Sequence, residues 1–171
     1  MQKKICMLGA FGVGKTSLVR RLIDGIFSDT YLTTIGVKID RYRSRIDKRE
    51  ITLILWDIQG EEDDNPISQA YLKGSSGFVM VADVTSPQTV AVALKLERSL
   101  LRSYPNAPIV WALNKTDLLD APLSNEQLAS SLGITLDSSQ PRLLLQTSAR
   151  DDKNVKQLFE TLAADLLRAA A

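Results

Sequence analysis

The sequence contains no histidine, and this absence removes several chemistries at once. Ser-His-Asp hydrolysis, Cys-His nucleophiles and His-ligated metal sites are all excluded. The single cysteine, Cys6, cannot form a disulfide within one chain, and its place in an apolar run favours a small buried residue. Any catalysis must therefore use carboxylates, amides, backbone donors and a hard cation.

Long apolar segments and an excess of one charge are also missing. No segment approaches the length of a bilayer span, and the N-terminus lacks the apolar region of a signal peptide. Lys and Arg number 21 against 20 Asp and Glu, so the balance favours neither a nucleic-acid nor an anionic-membrane partner. We therefore expect one cytosolic, cytoplasmic domain that covers residues 1–171 and has a proper core.

The segment from Gly9 to Thr16 fits the spacing G-x-x-x-x-G-K-[ST] residue for residue. An apolar run precedes it and a helical pattern follows, which is the context of a phosphate-binding loop. A turn that merely reversed the chain would have no use for Lys-Thr at this spacing. Glycines let consecutive N–H groups point at an anion, and the positive end of the helix adds to the attraction.

Within this loop, we expect Lys15 to reach the β- and γ-phosphates and the Thr16 hydroxyl to bind the Mg²⁺ that bridges them. The residues of this segment predicted to bind the nucleotide are Gly9, Phe11, Gly12, Val13, Gly14, Lys15, Thr16 and Ser17.

Strand and helix signals alternate along most of the chain, which predicts an α/β fold with a largely parallel sheet. Runs 37–46 and 51–57 are separated by four residues and are predicted to form an antiparallel hairpin, the first run basic and at an exposed edge. Three runs are apolar, as in central strands buried on both faces: 78–83 and 109–114, which each end in a polar residue, and 143–145. Helix signals begin after the phosphate loop, at Ser86-Pro87, at Ser124 with Gln127, and at Asn154 with Gln157.

Polar motifs follow the strands, at the sheet edge where ligands bind in open α/β folds. Asp57-Ile58-Gln59-Gly60 is a D-x-x-G motif. Asp57 can hold Mg²⁺ through water, and the Gly60 N–H can contact a γ-phosphate. Taken alone, the tetrapeptide is explained equally well by a strand end before a simple turn. The Thr34 hydroxyl could complete the Mg²⁺ shell when a γ-phosphate is present.

Asn114-Lys115-Thr116-Asp117 is an N-K-x-D motif, and it predicts the base. Asp117 can accept hydrogen bonds from N1–H and the exocyclic amine of guanine, whereas adenine has neither donor there. A site of this kind rejects an analogue that lacks the partner by about 10⁴ or more. Asn114 is expected to tie the loop to neighbouring backbone and Lys115 to lie along the ring. A backbone N–H for the guanine O6 is expected from Ser148, Ala149 or Arg150.

With these motifs, the chain resembles a Ras-superfamily small GTPase across essentially its full length, and is most similar to the Rab branch. The Rab likeness is carried by Tyr31-Leu32-Thr33-Thr34-Ile35-Gly36-Val37, by Trp56-Asp57 and by Tyr71-Leu72-Lys73-Gly74. The resemblance implies a P-loop NTPase G domain: a six-stranded, mostly parallel sheet with one antiparallel edge strand, and helices on both faces.

The resemblance also implies roles for particular residues. Phe27 would pack against the guanine, Thr34 would belong to switch I, and Gly60 with the acidic loop after it would form switch II. Trp56 would lie between the switches, where protein effectors and regulators bind; an ordinary half-buried aromatic is the alternative at this position. The implied function is a Mg²⁺-dependent switch that binds GTP and GDP.

The chain departs from the family at residues that bear on hydrolysis and membrane attachment. Glu61 stands where the family usually has glutamine, and a carboxylate cannot donate to the transferring phosphoryl and repels it. Phe11 would crowd an arginine finger, and Gln59 could replace the missing glutamine only if the loop were rearranged. With no C-terminal cysteine and no N-terminal Met-Gly, no lipid anchor is expected. The residues expected to act in slow hydrolysis are Lys15, Thr34, Gly60 and Glu61.

Two other functions are open at this point. A GTPase-like scaffold that stays GTP-loaded would bind the same nucleotide and release no product. A P-loop kinase would need an acceptor site and usually an arginine-bearing lid, and no insert in the chain supplies either.

Overall fold

The chain folds around a mixed sheet, as seen in a computed structural model that describes residues 1–30, 33–62, 64–137 and 142–170. Within these residues the sheet has six strands in the order β2-β3-β1-β4-β5-β6, with β2 antiparallel to β3 and every other pair parallel. The strands are β1 (Gln2–Leu8), β2 (Val37–Ile46), β3 (Arg49–Ile58), β4 (Gly77–Asp83), β5 (Ile109–Asn114) and β6 (Leu143–Gln146). The helices are α1 (Lys15–Asp24), α2 (Gln69–Leu72), α3 (Pro87–Ser103), α4 (Asn125–Ser131) and α5 (Val155–Ala169), with a 3₁₀ turn at Thr116–Leu118. The predicted sheet and its helices on both faces are confirmed.

Two apolar cores lie on opposite faces of the sheet. Alternate residues of β1 serve each core: Ile5 and Met7 join α1 and α5, whereas Cys6 and Leu8 join α3 and α4. Every residue of β4 is buried, because helices cover both of its faces. Each large side chain buried in this way stabilises the fold by roughly 1.5–3 kcal/mol.

The hairpin between β2 and β3 is tighter than the sequence predicts. Its turn has two residues, Asp47 and Lys48, both at positive φ, as a two-residue turn between twisted strands requires. Arg49 and Glu50, expected in the connection, belong to β3. They pair with the end of β2 because strand pairing uses main-chain groups and does not need apolar side chains.

Two other expectations about elements are wrong. The run 143–145 is not a central strand, since β6 is the second edge of the sheet and Leu143 is 41% exposed. Asn154 forms no capping box with Gln157; it lies at positive φ, and its Nδ2 donates to the Gln146 carbonyl instead. The capping box of Ser124 and Gln127 is confirmed at the start of α4. The short α2 has no counterpart in the sequence prediction.

Candidate functional site

The carboxyl ends of the parallel strands bring the predicted motifs to one edge of the sheet, around a cavity of about 240 Å³. The predicted residues that line this cavity are Phe11, Gly12, Gly14, Lys15, Thr16, Ser17, Phe27, Thr34, Gly60, Asn114, Lys115, Asp117, Ala149 and Arg150. Five lining residues were not singled out from the sequence: Ser28, Asp29, Thr30, Ile58 and Leu118. Tyr31, Leu32 and Asp63, which belong to the segments compared with the family, lie outside the described residues.

The phosphate loop needs glycine because of its backbone geometry and its close neighbours. Gly9 has φ +148°, and a Cβ there would lie 2.3 Å from the Val81 carbonyl oxygen. Gly14 has φ +99°, and its Cβ would lie 2.4 Å from Nδ2 of Asn114. Gly9 and Val13 are not part of the cavity wall; Gly9 lies against β4, and the Val13 side chain is buried in the core.

Lys15 begins α1 and is almost fully buried, with 6% of its surface exposed. Its Nζ donates to the carbonyl oxygens of Gly9 at 3.1 Å and Ala10 at 2.9 Å. Burial lowers the pKa of this amine to about 8, and the Asp57 carboxylate opposes that effect. A buried ammonium that faces neutral carbonyls is a strong point of attraction for an anion in the cavity.

Thr16, Thr34 and Asp57 form a cluster of hard oxygen atoms. Thr16 Oγ1 donates to Asp57 Oδ2 at 2.6 Å and lies 2.6 Å from Thr34 Oγ1, while Thr34 Oγ1 is 3.4 Å from the same carboxylate oxygen. The other oxygen, Asp57 Oδ1, is buried and makes no hydrogen bond to any described residue. Burial raises the pKa of the Asp57 carboxyl, and the Thr16 hydroxyl and Lys15 oppose this shift. Hydroxyl and carboxylate oxygens with one orphaned acceptor suit a hard cation.

The N-K-x-D segment is fixed to the phosphate loop by hydrogen bonds. Asn114 Nδ2 donates to the Val13 carbonyl at 3.0 Å, and Asn114 Oδ1 accepts from Thr147 Oγ1 at 3.1 Å. Lys115 Nζ donates to the Gly12 carbonyl at 2.7 Å. Asp117 Oδ1 accepts from Ser148 Oγ at 2.6 Å, so a serine that is itself fully buried orients the carboxylate expected to select the base.

Sequence reasoning missed Asp83, which is buried at the end of β4. Its carboxylate pairs with Lys115 Nζ at 2.7 Å and accepts from the N–H and hydroxyl of Thr85. Burial raises its pKa, but these hydrogen bonds prevail, and the net pKa is lowered. The only signal in the sequence was that Asp83 is a polar residue at the end of an apolar run. The next such run along the chain ends in Asn114 in the same way.

The D-x-x-G turn lies directly on the phosphate loop. A Cβ on Gly60 would be 2.3 Å from Phe11 Cα, and the Glu61 N–H donates to the Gly9 carbonyl at 3.0 Å. The Glu61 carboxylate accepts a hydrogen bond from the Ile67 N–H, six residues further along the chain, at 2.6 Å. Phe11 lines the cavity and is 45% exposed.

Trp56 is half-buried on β3 and packs against the core shared with α3 and α4. Lys4 Nζ lies 3.6 Å from the centroid of its ring, a cation–π contact. The structure confirms a half-buried aromatic on the strand that leads into the D-x-x-G turn. A role of Trp56 in binding effectors stays a prediction.

A phosphate loop, a D-x-x-G turn and an N-K-x-D segment at this edge define a P-loop NTPase of the G-domain class. The Ras family model matches residues 4–168, and the chain belongs to the Ras family. It is similar to the Ras-related protein Rab-3C of Mus musculus and of Rattus norvegicus, at 30% identity over 160 residues that cover 93% of this chain and 69% of each relative. The chain is thus a GTP-binding, Rab-like small GTPase. No helix within the described residues is long and apolar enough to cross a bilayer.

Proposed function

We propose that this protein is a Mg²⁺-dependent guanine-nucleotide switch with slow intrinsic hydrolysis of GTP to GDP. The observation that carries the proposal is that Lys15 and Asp117 line one cavity. Lys15 supplies a buried ammonium suited to binding phosphate, and Asp117 supplies a carboxylate suited to guanine. Protein effectors and regulators are proposed to bind at the switches, as the family implies.

Mg²⁺ fits the cluster of Thr16, Thr34 and Asp57, because the buried Asp57 Oδ1 lacks a partner among the described residues. When bound, the cation would neutralise charge on the phosphates. Among the described residues no group of three or more His, Cys, Asp or Glu side chains offers another metal site. Thr34 is the ligand proposed to depend on the γ-phosphate, so the loop that carries it would order with GTP and relax with GDP.

Hydrolysis is proposed to be in-line attack by water on the γ-phosphate. Lys15 and the N–H groups of the phosphate loop and Gly60 would stabilise the charge that spreads over the phosphoryl oxygens. Glu61 is the residue of this arrangement that is proposed to slow hydrolysis. Its carboxylate accepts the Ile67 N–H, and its charge would repel the transferring group.

Single-turnover GTP hydrolysis tests this proposal. We expect slow product formation from the native chain and an increase of roughly tenfold for Glu61→Gln, about 1.4 kcal/mol of barrier, because the amide removes the repulsive charge and can donate. Glu62→Gln, at the next position of the same loop and exposed to solvent, is the control and should match the native rate. Lys15→Ala should abolish turnover through loss of phosphate binding.

The second candidate is a scaffold that binds GTP and does not hydrolyse it. It is favoured by the Glu61–Ile67 hydrogen bond, which holds the carboxylate within its own loop, and by the exposed Phe11 ring beside the D-x-x-G turn. The scaffold is supported if native protein purified gently retains GTP and yields no product in a single turnover. A measurable rate that disappears with Lys15→Ala supports the enzyme.

A further inference from the structure

Gln59, between the two defining residues of the D-x-x-G turn, holds the loop that precedes β2. The Gln59 N–H donates to the Gly36 carbonyl at 2.9 Å, and Gln59 Oε1 accepts from the Gly36 N–H at 3.0 Å. The main-chain bond continues the ladder beyond Val37 and Ile58, the last pair of β2 and β3. The side-chain bond satisfies an N–H that Gly36, at φ +71°, turns out of the regular strand.

This clamp lies between two contacts with the nucleotide site. On one side Gly60 rests against the Phe11 backbone of the phosphate loop. On the other side Thr34, two residues before Gly36, places its hydroxyl 2.6 Å from that of Thr16. Gln59 thus lies between the phosphate loop and the segment that carries Thr34. Its neighbour Gly60 contacts the phosphate loop, and its hydrogen-bond partner Gly36 belongs to the segment of Thr34.

The geometry argues against Gln59 as a water-orienting residue in place of Glu61. Its side-chain oxygen is occupied by the Gly36 N–H, and an N–H donor fixes which end of the amide faces Gly36. Moving the amide toward a γ-phosphate would break this bond and leave a partly buried N–H without its acceptor.

We infer that Gln59 is a positioning residue that holds the Thr34 loop against the nucleotide site and so raises the affinity for GTP relative to GDP. This inference rests on the proposed switch, in which the Thr34 loop orders only with a γ-phosphate. If the Gln59–Gly36 contact forms with GTP bound and is lost with GDP bound, it favours GTP binding over GDP binding by the free energy of that contact. One net hydrogen bond of this type corresponds to about a three- to tenfold preference.

The test compares nucleotide affinities of the full chain with Mg²⁺, using fluorescent GDP and a fluorescent non-hydrolysable GTP analogue. Gln59→Leu keeps the approximate size of the side chain and removes its acceptor. Gln157→Leu, exposed on α5, is the matched control. We expect Gln59→Leu to weaken binding of the GTP analogue about three- to tenfold and GDP binding less than twofold, with the control unchanged.

Amide hydrogen exchange of Gly36 in the unmodified protein gives a second readout that does not depend on the variant. The Gly36 N–H should exchange more slowly with the GTP analogue than with GDP. Equal losses of affinity for both nucleotides in Gln59→Leu, no loss for either, or equal exchange of Gly36 in both states would each overturn the inference while leaving GTP binding intact. Native protein that binds neither nucleotide contradicts the proposed function itself, and the inference then falls with it.

Discussion

At the scale of single residues, Asn114 joins three segments that are distant in sequence. Its side chain is 1% exposed, donates to the Val13 carbonyl of the phosphate loop and accepts from Thr147 after β6. Both partners are buried, so the amide satisfies polar groups that water cannot reach. The phosphate loop, the N-K-x-D segment and the residues after β6 are therefore held in one arrangement by the protein's own contacts.

Asn114→Ala should lower the free energy of unfolding by about 2–4 kcal/mol, because a buried carbonyl and a buried hydroxyl would each lose a partner. Chemical denaturation without nucleotide measures this loss directly. Asn106→Ala, in an exposed turn, is the control and should change stability little. A loss in Asn114→Ala no larger than that of the control would show that the hydrogen bonds contribute nothing net.

The motif residues could be predicted because spacing and topology together define their places. Parallel strands end at the same edge, so Asp57 near the end of β3 and Asn114 at the end of β5 had to come near Lys15. The pairs Asp83–Lys115, Ser148–Asp117 and Gln59–Gly36 could not be predicted in this way. Each joins segments between 23 and 32 residues apart through side-chain directions that no local pattern encodes.

At the scale of elements, α3 is tied to the edge of the sheet by a buried carboxylate. Glu97 is 4% exposed; its Oε1 accepts from Trp111 Nε1 of β5 at 2.8 Å, and its Oε2 pairs with Arg142 at 2.9 Å. A charge in the core is tolerated here because both oxygens have partners. Trp111 is fully buried and has this carboxylate as its hydrogen-bond acceptor.

Glu97→Ala should destabilise the fold by about 1–3 kcal/mol, since the buried Trp111 N–H loses its acceptor. Glu97→Gln should cost less, because an amide oxygen can still accept from the indole. Denaturation followed by tryptophan fluorescence measures both variants, and Glu50→Ala, exposed on β3, is the control. Equal losses for Ala and Gln would mean that the ion pair with Arg142, and not the indole, carries the effect.

Elements were predicted well where an apolar pattern and a boundary signal agreed. The start of α3 and the bounds of β5 match the sequence prediction, since Ser86-Pro87 marks the helix start and an apolar run that ends in Asn114 marks the strand. β6 was misjudged because an apolar run does not reveal how many neighbours a strand has. The four residues of α2 are too short for a helical period to be visible in the sequence.

At the scale of the whole molecule, positive and negative side chains are nearly equal in number but unevenly distributed along the chain. Arg41, Arg43 and Arg45 alternate along the edge strand β2 and are all exposed. None of them forms an ion pair within the described residues. Ile39, on the same strand, is 51% exposed. An open edge beside an exposed apolar residue invites pairing between copies of the chain, and like charges oppose it.

Replacing Arg41, Arg43 and Arg45 together with Gln should therefore promote self-association. Sedimentation velocity over a concentration series measures this directly. The same changes at three exposed cationic positions of α3, Lys95, Arg98 and Arg102, provide the control for altered net charge. A β2 variant that stays monomeric wherever the control does would contradict the inference that these arginines prevent pairing between copies of the chain.

The central claim is that one cavity binds the nucleotide phosphates through Lys15 and selects guanine through Asp117. Competition of unlabelled GTP and ATP against fluorescent GDP, with Mg²⁺ present, tests it most directly. The native protein and the control Asp120→Ala should favour GTP over ATP by about 10⁴ or more, and Asp117→Ala should lose most of that preference. Equal competition by ATP and GTP, or a preference untouched by Asp117→Ala, would contradict the assignment.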